Sequence, residues 1–258
     1  METLSVGGST LAILVPVCAV VAAAYAMVGL GGGTGYLAIM TLLGVPSQWL
    51  ASTALMLNIV VTGAALLRYG VSGRLRRRVF WPFLLAATPT AFLGGLVEMQ
   101  ERSFQAALAV ALLAVAVAML WTARTQEQVL EPPRSRLWAV GVVGGGSIGF
   151  LSGFLGIGGG VFLGPLVLFL KWAGAREVAA MNSLFILVVS IVGLAAHGVK
   201  GSISLPLVGP LAFAVFVGGL AGAHFAETRL SASTLKRVFA GIILLAAIRA
   251  ALGAAGVW

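Results

Sequence analysis

Two glycine-rich stretches, Gly29-Leu30-Gly31-Gly32-Gly33 and Gly156-Ile157-Gly158-Gly159-Gly160, lie about half a chain apart in this 258-residue sequence. Consecutive glycines disfavour a continuous helix, because glycine loses more backbone freedom than any other residue when it is fixed. Both stretches nevertheless lie between strongly apolar segments. Within a bilayer, a broken backbone is tolerated only where protein encloses it or where it lines a cavity. The two stretches therefore predict a duplicated membrane protein with an enclosed site.

The composition supports a membrane protein along the whole chain. Hydrophobic residues make up 60% of the sequence, charged residues 9%, and the mean hydropathy is +1.08. Soluble domains carry about 25% charged residues. The net charge of +9 does not indicate nucleic acid binding, because the basic residues fall in short gaps between apolar segments, as orientation signals do. The sequence predicts an all-α polytopic membrane protein.

Ten apolar segments divide into two sets of five. The first set covers residues 9–28, 34–44, 49–67, 79–97 and 104–122. The second set covers residues 138–155, 161–173, 178–197, 205–223 and 235–254. We interpret residues 1–122 as a first transmembrane repeat, 123–137 as an exposed cytoplasmic linker with adjacent prolines and five charges, and 138–258 as a second repeat.

The two sets also resemble each other in detail. After each glycine turn comes a short apolar segment and then a polar pair near the start of the next helix. The pair is Ser52-Thr53 in the first half and Asn182-Ser183 in the second, and a glycine, Gly63 or Gly193, follows ten residues after each pair. This correspondence supports an internal duplication.

Charge counting predicts how the halves are oriented. If all ten segments cross the bilayer, 13 of the 16 basic residues lie on one side, and Arg102, Lys200 and Arg249 lie on the other. If each half crossed only four times, because its first two segments together form one broken helix, the basic residues would divide 10 against 6. The positive-inside rule favours ten crossings. Since five is odd, the two halves would be inverted relative to each other.

The second segment of each half is shorter than the hydrocarbon core of a bilayer is thick. At about 1.5 Å per residue such a segment covers roughly 16 to 21 Å of a hydrocarbon core of about 30 Å. Each glycine turn would then be drawn roughly 10 Å into the membrane, from opposite sides, with free amide groups at the positive start of a short helix. Such a helix start favours an anion. The predicted anion site comprises Gly31, Gly32, Gly33, Ser52, Thr53, Gly158, Gly159, Gly160, Asn182 and Ser183.

The sequence resembles the sulfite exporter TauE/SafE family over about residues 10–250. The resemblance is carried by the paired glycine turns, Pro165 after the second turn, the polar pairs, and the stretch Gly193-Leu194-Ala195-Ala196-His197. It implies export or uptake of sulfite, sulfoacetate or other sulfonates across the bacterial inner membrane. The halves differ in two respects: Leu67 stands where the second half has His197, and no proline follows the first turn.

Several of these residues allow a second interpretation. The glycines of the turns are either site residues or helix-packing contacts, and the pairs Gly94-Gly95 and Gly218-Gly219 are interpreted as packing contacts. His197 is either a residue of the membrane interface or a candidate for proton coupling. Asn58, alone in the middle of a helix, is interpreted as an interhelical contact or as a residue behind the ligand contacts.

Three classes of function remain: a secondary anion transporter, an anion channel and a membrane-embedded enzyme. A channel needs a continuous polar stripe, and no segment has polar residues at every helical turn. An enzyme needs reactive groups, and the chain has no aspartate, one cysteine and two histidines outside any motif, so we predict neither catalysis nor a metal or other cofactor. The sequence favours the transporter. Coupling to protons or to sodium, the direction of transport and the oligomeric state stay open.

Overall fold

The computed structural model describes residues 8–27, 30–69, 75–98, 100–121, 129–200, 203–224 and 232–256. In these ranges the regular secondary structure is entirely helical. The first five helices are α1 (Gly8–Met27), α2 (Gly33–Leu42), α3 (Ser47–Tyr69), α4 (Arg77–Leu96) and α5 (Glu101–Trp121). The next five are α6 (Arg134–Leu155), α7 (Gly160–Phe169), α8 (Ala175–Val199), α9 (Leu205–His224) and α10 (Ala232–Ala254). The prediction of ten helical segments is confirmed.

The start of α6 differs from the prediction by four residues. Helix α6 begins at Arg134, so that the last residues of the predicted linker form its first turn. Pro133 precedes this turn with φ −56°, a value that proline fixes and that suits the start of a helix. Of the remaining linker, residues 123–128 lie outside the described part of the chain. The division of the chain at this linker stays a prediction.

Helix length separates the membrane-spanning helices from the broken ones. In the described ranges, seven helices are long and apolar enough to cross a bilayer, namely α1, α3, α4, α5, α6, α8 and α9. Helix α10 has a shorter apolar stretch, Ala240–Ala254. Helices α2 and α7 have ten residues each, which is shorter than predicted and corresponds to about 15 Å. Each therefore covers about half of the hydrocarbon core.

The helices of the two sets pack against each other. The most extensive contacts join α4 to α6, α5 to α10 and α1 to α9, and α3 lies against α8. Glycines allow the closest approach: Gly149 and Gly153 of α6 lie on the backbone of Ala87 and Ala91 in α4. Gly218 of α9 lies on the backbone of Ala19 in α1, which confirms the packing role predicted for that glycine. The two halves interlock, since the strongest contacts run between them.

Three connections meet on one face of the bundle. Arg76, just before α4, contacts Glu131 and lies 4.0 Å from Glu177 at the start of α8. The amide of Leu130 donates to the carbonyl of Lys171, at 2.7 Å. The connections α3–α4, α5–α6 and α7–α8 are therefore close together. The side chains of further basic residues counted for this face lie outside the described part: Arg68, Arg74, Arg124, Arg176, Arg229, Lys236 and Arg237.

Three further connections, α2–α3, α4–α5 and α8–α9, meet at the opposite end of α3. Its first residue, Ser47, donates to Glu101 of α5 at 3.1 Å, and Arg249 of α10 donates to the carbonyl of Leu42. Lys200, after α8, donates to the carbonyl of Val97 after α4, at 3.2 Å. The 23 residues of α3 span about 34 Å, so these contacts are a membrane thickness away from Arg76.

Candidate functional site

Each glycine turn becomes the start of a short helix. Gly32 precedes α2 with φ +91°, and Gly159 precedes α7 with φ +73°. Both values belong to the left-handed region, which glycine enters without steric cost. The first amide groups of a helix have no partner within it, and the helix dipole makes that end positive. Two such helix starts point into the interior of the bundle.

Asn58, midway along α3, lies between the two turns. A Cβ atom built on Gly31 would lie 2.9 Å from Asn58 Oδ1, and one built on Gly158 would lie 2.5 Å from Asn58 Nδ2. A Cβ atom on Gly33 would also meet Asn58 Nδ2. Glycine is therefore required at these positions because a polar side chain occupies the space beside them.

The amide of Asn58 is buried and has no hydrogen-bond partner. Its side chain is 0% exposed, and neither Oδ1 nor Nδ2 has a partner in the structure. Leaving a buried polar group unpaired costs about 1 to 3 kcal/mol. Buried side-chain amides are generally paired with protein, water or ligand. A polar ligand that formed hydrogen bonds with the Asn58 amide would therefore be stabilised here.

A small cavity surrounds this amide. Its volume is about 10 Å³, which is the space of roughly one water molecule. None of the described residues that line it carries a charge: Tyr25, Leu30, Gly31, Gly32, Gly33, Thr34, Asn58, Ile157, Val161 and Ile186. Tyr25 and Thr34 share a hydrogen bond of 3.1 Å between their hydroxyl groups. In this structure the central cavity is closed, and its polar lining comprises the Asn58 amide and the Tyr25 and Thr34 hydroxyls.

The predicted polar pairs do not line this cavity. Ser52 donates to the carbonyl of Trp49 at 3.3 Å, and Ser183 donates to the carbonyl of Ala179 at 3.0 Å, each within its own helix. The hydroxyl of Thr53 is buried without a partner. These three residues stay predicted site residues that the central cavity does not include.

Asn182 contacts the second short helix instead of the cavity. Its Nδ2 would lie 2.7 Å from a Cβ atom on Gly164, and its Cβ 3.4 Å from one on Gly160. The side chain is 4% exposed, and its Oδ1 has no hydrogen-bond partner. Asn182 therefore faces the first turns of α7, beside Gly160 at the end of the glycine turn.

Sequence reasoning gave Asn58 only a supporting role. The available signal was an amide side chain in the middle of an apolar helix, at the depth to which both glycine turns are drawn. The resemblance between the halves instead favoured Asn182 as a residue of the anion site, because it belongs to a repeated polar pair.

A larger cavity, about 600 Å³ in volume, opens near the start of α3. It is lined by Pro46, Ser47, Gln48, Ala51, Val97, Glu98, Glu101, Phe104, Phe154, His197 and Lys200. We call it the vestibule. Burial lowers the pKa of the Lys200 ammonium group, and the neighbouring Glu98 carboxylate opposes that shift.

The second glycine turn lies next to two residues that line the vestibule, Ala51 and His197. A Cβ atom on Gly156 would lie 2.5 Å from the Cα atom of Ala51, which lines the vestibule. His197 is buried, and its Nε2 donates to the carbonyl of Gly153 at 2.9 Å, just before the turn. Ala51 and Asn58 are seven residues apart on α3, or roughly 10 Å. The vestibule therefore ends about two helical turns from the central cavity.

The described ranges contain no cluster of histidine, cysteine and carboxylate side chains that could hold a metal ion. The groups that can bind a ligand at the central cavity are backbone amides, hydroxyls and the Asn58 amide. Such groups bind by hydrogen bonding and dipole.

Comparison with known proteins gives a consistent result. The family described as "Sulfite exporter TauE/SafE" matches residues 14–250. The chain is 33% identical over 232 residues to the "Probable membrane transporter protein y4hK" of Sinorhizobium fredii, covering 89% of this chain and 94% of that protein. No solved structure matches the chain. With ten helices in its described ranges, seven of them long and apolar enough to span a bilayer, and a family match over most of its length, the chain belongs to the TauE/SafE sulfite exporter family of multi-pass membrane transporters.

Proposed function

We propose that this chain is a secondary transporter that moves small anions, such as sulfite, sulfoacetate or other organosulfonates, across the bacterial inner membrane. The anion would bind near mid-membrane, between the glycine turns at Gly31–Gly33 and Gly158–Gly160. One observation carries the proposal: the unpaired, fully buried amide of Asn58 lies between these two helix starts.

The chemistry of this centre favours an anion. The positive ends of α2 and α7 converge there, and no charged side chain lines the cavity among the residues that the structure describes. Amide donors at helix starts bind sulfonate or sulfite oxygens without a buried lysine or arginine. A hydrogen bond to a charged group contributes about 1.5 to 3 kcal/mol. Ser52, Thr53, Asn182 and Ser183 are proposed to join the site when the short helices move.

Two helix contacts support an inverted repeat, because a contact between α4 of the first half and α6 of the second has a counterpart between α9 of the second half and α1 of the first. Gly94 of α4 meets the backbone of Phe150 in α6, and Gly222 of α9 meets that of Ala23 in α1. Helix α4 packs on α6 as α9 packs on α1. If each set crosses the bilayer five times, which is an odd number, the second set starts on the side opposite to the first. The two sets then have opposite orientations in the bilayer. The face of Arg76 would then be cytoplasmic, and the vestibule would open to the outside.

His197 is the proposed coupling residue. It lies between the vestibule and the second glycine turn, so a change in its protonation would act on the backbone that ends α6. A proton gradient is the driving force that this position suits, and a sodium gradient is the alternative. The closed central cavity argues for alternating access over an open anion channel.

Flux measurements in proteoliposomes test this function. We expect uptake of sulfite or sulfonates, faster when the same unlabelled anion is inside, and driven by either a pH gradient or a sodium gradient imposed separately. Carboxylates serve as the comparison anions. Electrogenic flux without stimulation from the far side would indicate a channel, and absence of flux for every anion would refute anion transport.

A further inference from the structure

The two halves contribute different side chains to the same place. Asn58 lies midway along α3, and Ile186 lies midway along α8. A Cβ atom on Gly31 would lie 2.9 Å from both Asn58 Oδ1 and Ile186 Cγ2. One on Gly158 would lie 2.5 Å from Asn58 Nδ2 and 3.1 Å from Ile186 Cγ2. The central cavity thus has an amide on one side and a branched alkyl group on the other.

The difference in polarity is between Asn58 of the first half and Ile186 of the second. Each residue also faces the glycine that opens the short helix of its own half, since Asn58 meets Gly33 and Ile186 meets Gly160. The repeat register that aligns Ser52-Thr53 with Asn182-Ser183 places Val188, and not Ile186, opposite Asn58. An anion at this centre would therefore meet an amide from one half and an alkyl group from a non-equivalent position of the other half.

Other residues that line the central cavity also divide into polar and apolar ones. The polar lining includes the Thr34 and Tyr25 hydroxyls and the glycines of the first turn. The apolar lining comprises Leu30, Ile157, Val161 and Ile186. A ligand oxygen pressed against these alkyl groups would lose its hydrogen bonds to water without replacement.

We propose that Asn58 and Ile186 make the site selective for an anion with one charged group and a short apolar body, such as a short-chain organic sulfonate, over an all-oxygen anion such as sulfite. The proposal rests on the proposed anion transport. The sulfonate oxygens would accept hydrogen bonds from the Asn58 amide and the helix-start amides, and the alkyl body would contact Ile186. Because the cavity is closed to about 10 Å³ in this structure, α3 and α8 must separate to admit even a small body.

The test is a ratio of fluxes in proteoliposomes at one pH. Wild-type protein should carry ethanesulfonate better than sulfite. Ile186→Asn should shift the ratio toward sulfite by about tenfold, the equivalent of one added hydrogen bond to a charged ligand. Asn58→Ala should lower the flux of both anions by about tenfold or more. Ser190→Ala, which removes another buried hydroxyl of α8 outside the cavity, should leave both fluxes unchanged.

A second variant covers the case in which Ile186→Asn does not fold, as judged by size-exclusion chromatography. Ile186→Val keeps the apolar character and enlarges the cavity by one methyl group, so it should raise the flux of propanesulfonate relative to ethanesulfonate. A wild-type preference for sulfite, or ratios that neither Ile186 variant changes, would overturn the proposed selectivity while leaving anion transport intact. Absence of all anion flux in the wild type would instead overturn the proposed function and the selectivity with it.

Discussion

At the scale of single residues, the site depends on glycines that serve two different purposes. Gly32 and Gly159 are needed for their backbone conformation, because each precedes a short helix with a positive φ. Gly31 is needed for space, because the Asn58 amide fills the position of a side chain, and Gly158, with φ +81° and the same amide beside it, is needed for both reasons. A substitution at the first kind strains the turn, whereas a substitution at the second kind displaces the buried amide.

Gly159→Val should abolish transport. Its φ of +73° costs a β-branched residue about 1 to 3 kcal/mol, and its Cβ atom would lie 2.8 Å from the ring of Phe185. Flux at matched expression measures the effect. Gly209→Val is the control, because Gly209 is an exposed helical glycine with no atom within 4 Å of an added Cβ. Near-native flux in Gly159→Val would remove the turn from the mechanism.

At the scale of elements, the glycine turns determine the length of the short helices, and other glycines determine how closely the long helices pack. Helices α2 and α7 are short because a glycine turn begins each of them, so that each begins inside the bilayer. The contact between α4 and α6 depends on small residues, since apolar side chains gain little from leaving lipid for protein. The glycines of α6 that face α4 are spaced four apart, at Gly145, Gly149 and Gly153, and each meets backbone atoms.

Gly149→Ala should destabilise the bundle by about 1 to 3 kcal/mol, the usual cost of overpacking. A Cβ atom there would lie 2.5 Å from the Cα atom of Ala87, and a helix backbone cannot move aside as a side chain can. Gly146→Ala is the matched control on the same helix, because its nearest neighbour would be a methyl group of Thr90 at 3.8 Å. Thermal unfolding in detergent compares the two. Equal melting temperatures would contradict the close contact of α4 and α6.

At the scale of the whole molecule, charge and connectivity act together. The contacts among Arg76, Glu131 and Glu177 gather three connections on one face, and those of Ser47, Lys200 and Arg249 lie at the other end of α3. The sequence count divided these basic residues between the two sides in the same way. The positive-inside rule then assigns the face of Arg76 to the cytoplasm.

Cysteine labelling tests that orientation in cells, with Cys18→Ala as the background. Cysteines at Arg77 and Lys236 should react only with reagents that reach the cytoplasm, and those at Arg102 and Lys200 with reagents added outside. Arg77 and Arg102 are exposed, so their replacement should leave the fold unchanged. Labelling of the Arg77 and Lys236 positions from opposite faces would refute the inverted arrangement.

The sequence by itself determined the class of the protein, the ten helices and the two broken turns. These features are local: apolar length gives a membrane helix, consecutive glycines interrupt it, and charges between segments orient it. The tertiary structure decided which side chains meet at the turns. It placed Asn58 and Ile186 at the centre, and it placed Asn182 beside α7. Depth along a helix can be counted in the sequence, but rotation about its axis cannot be read where nearly every face is apolar. That rotation is fixed only when α3 and α8 pack against each other and against the short helices.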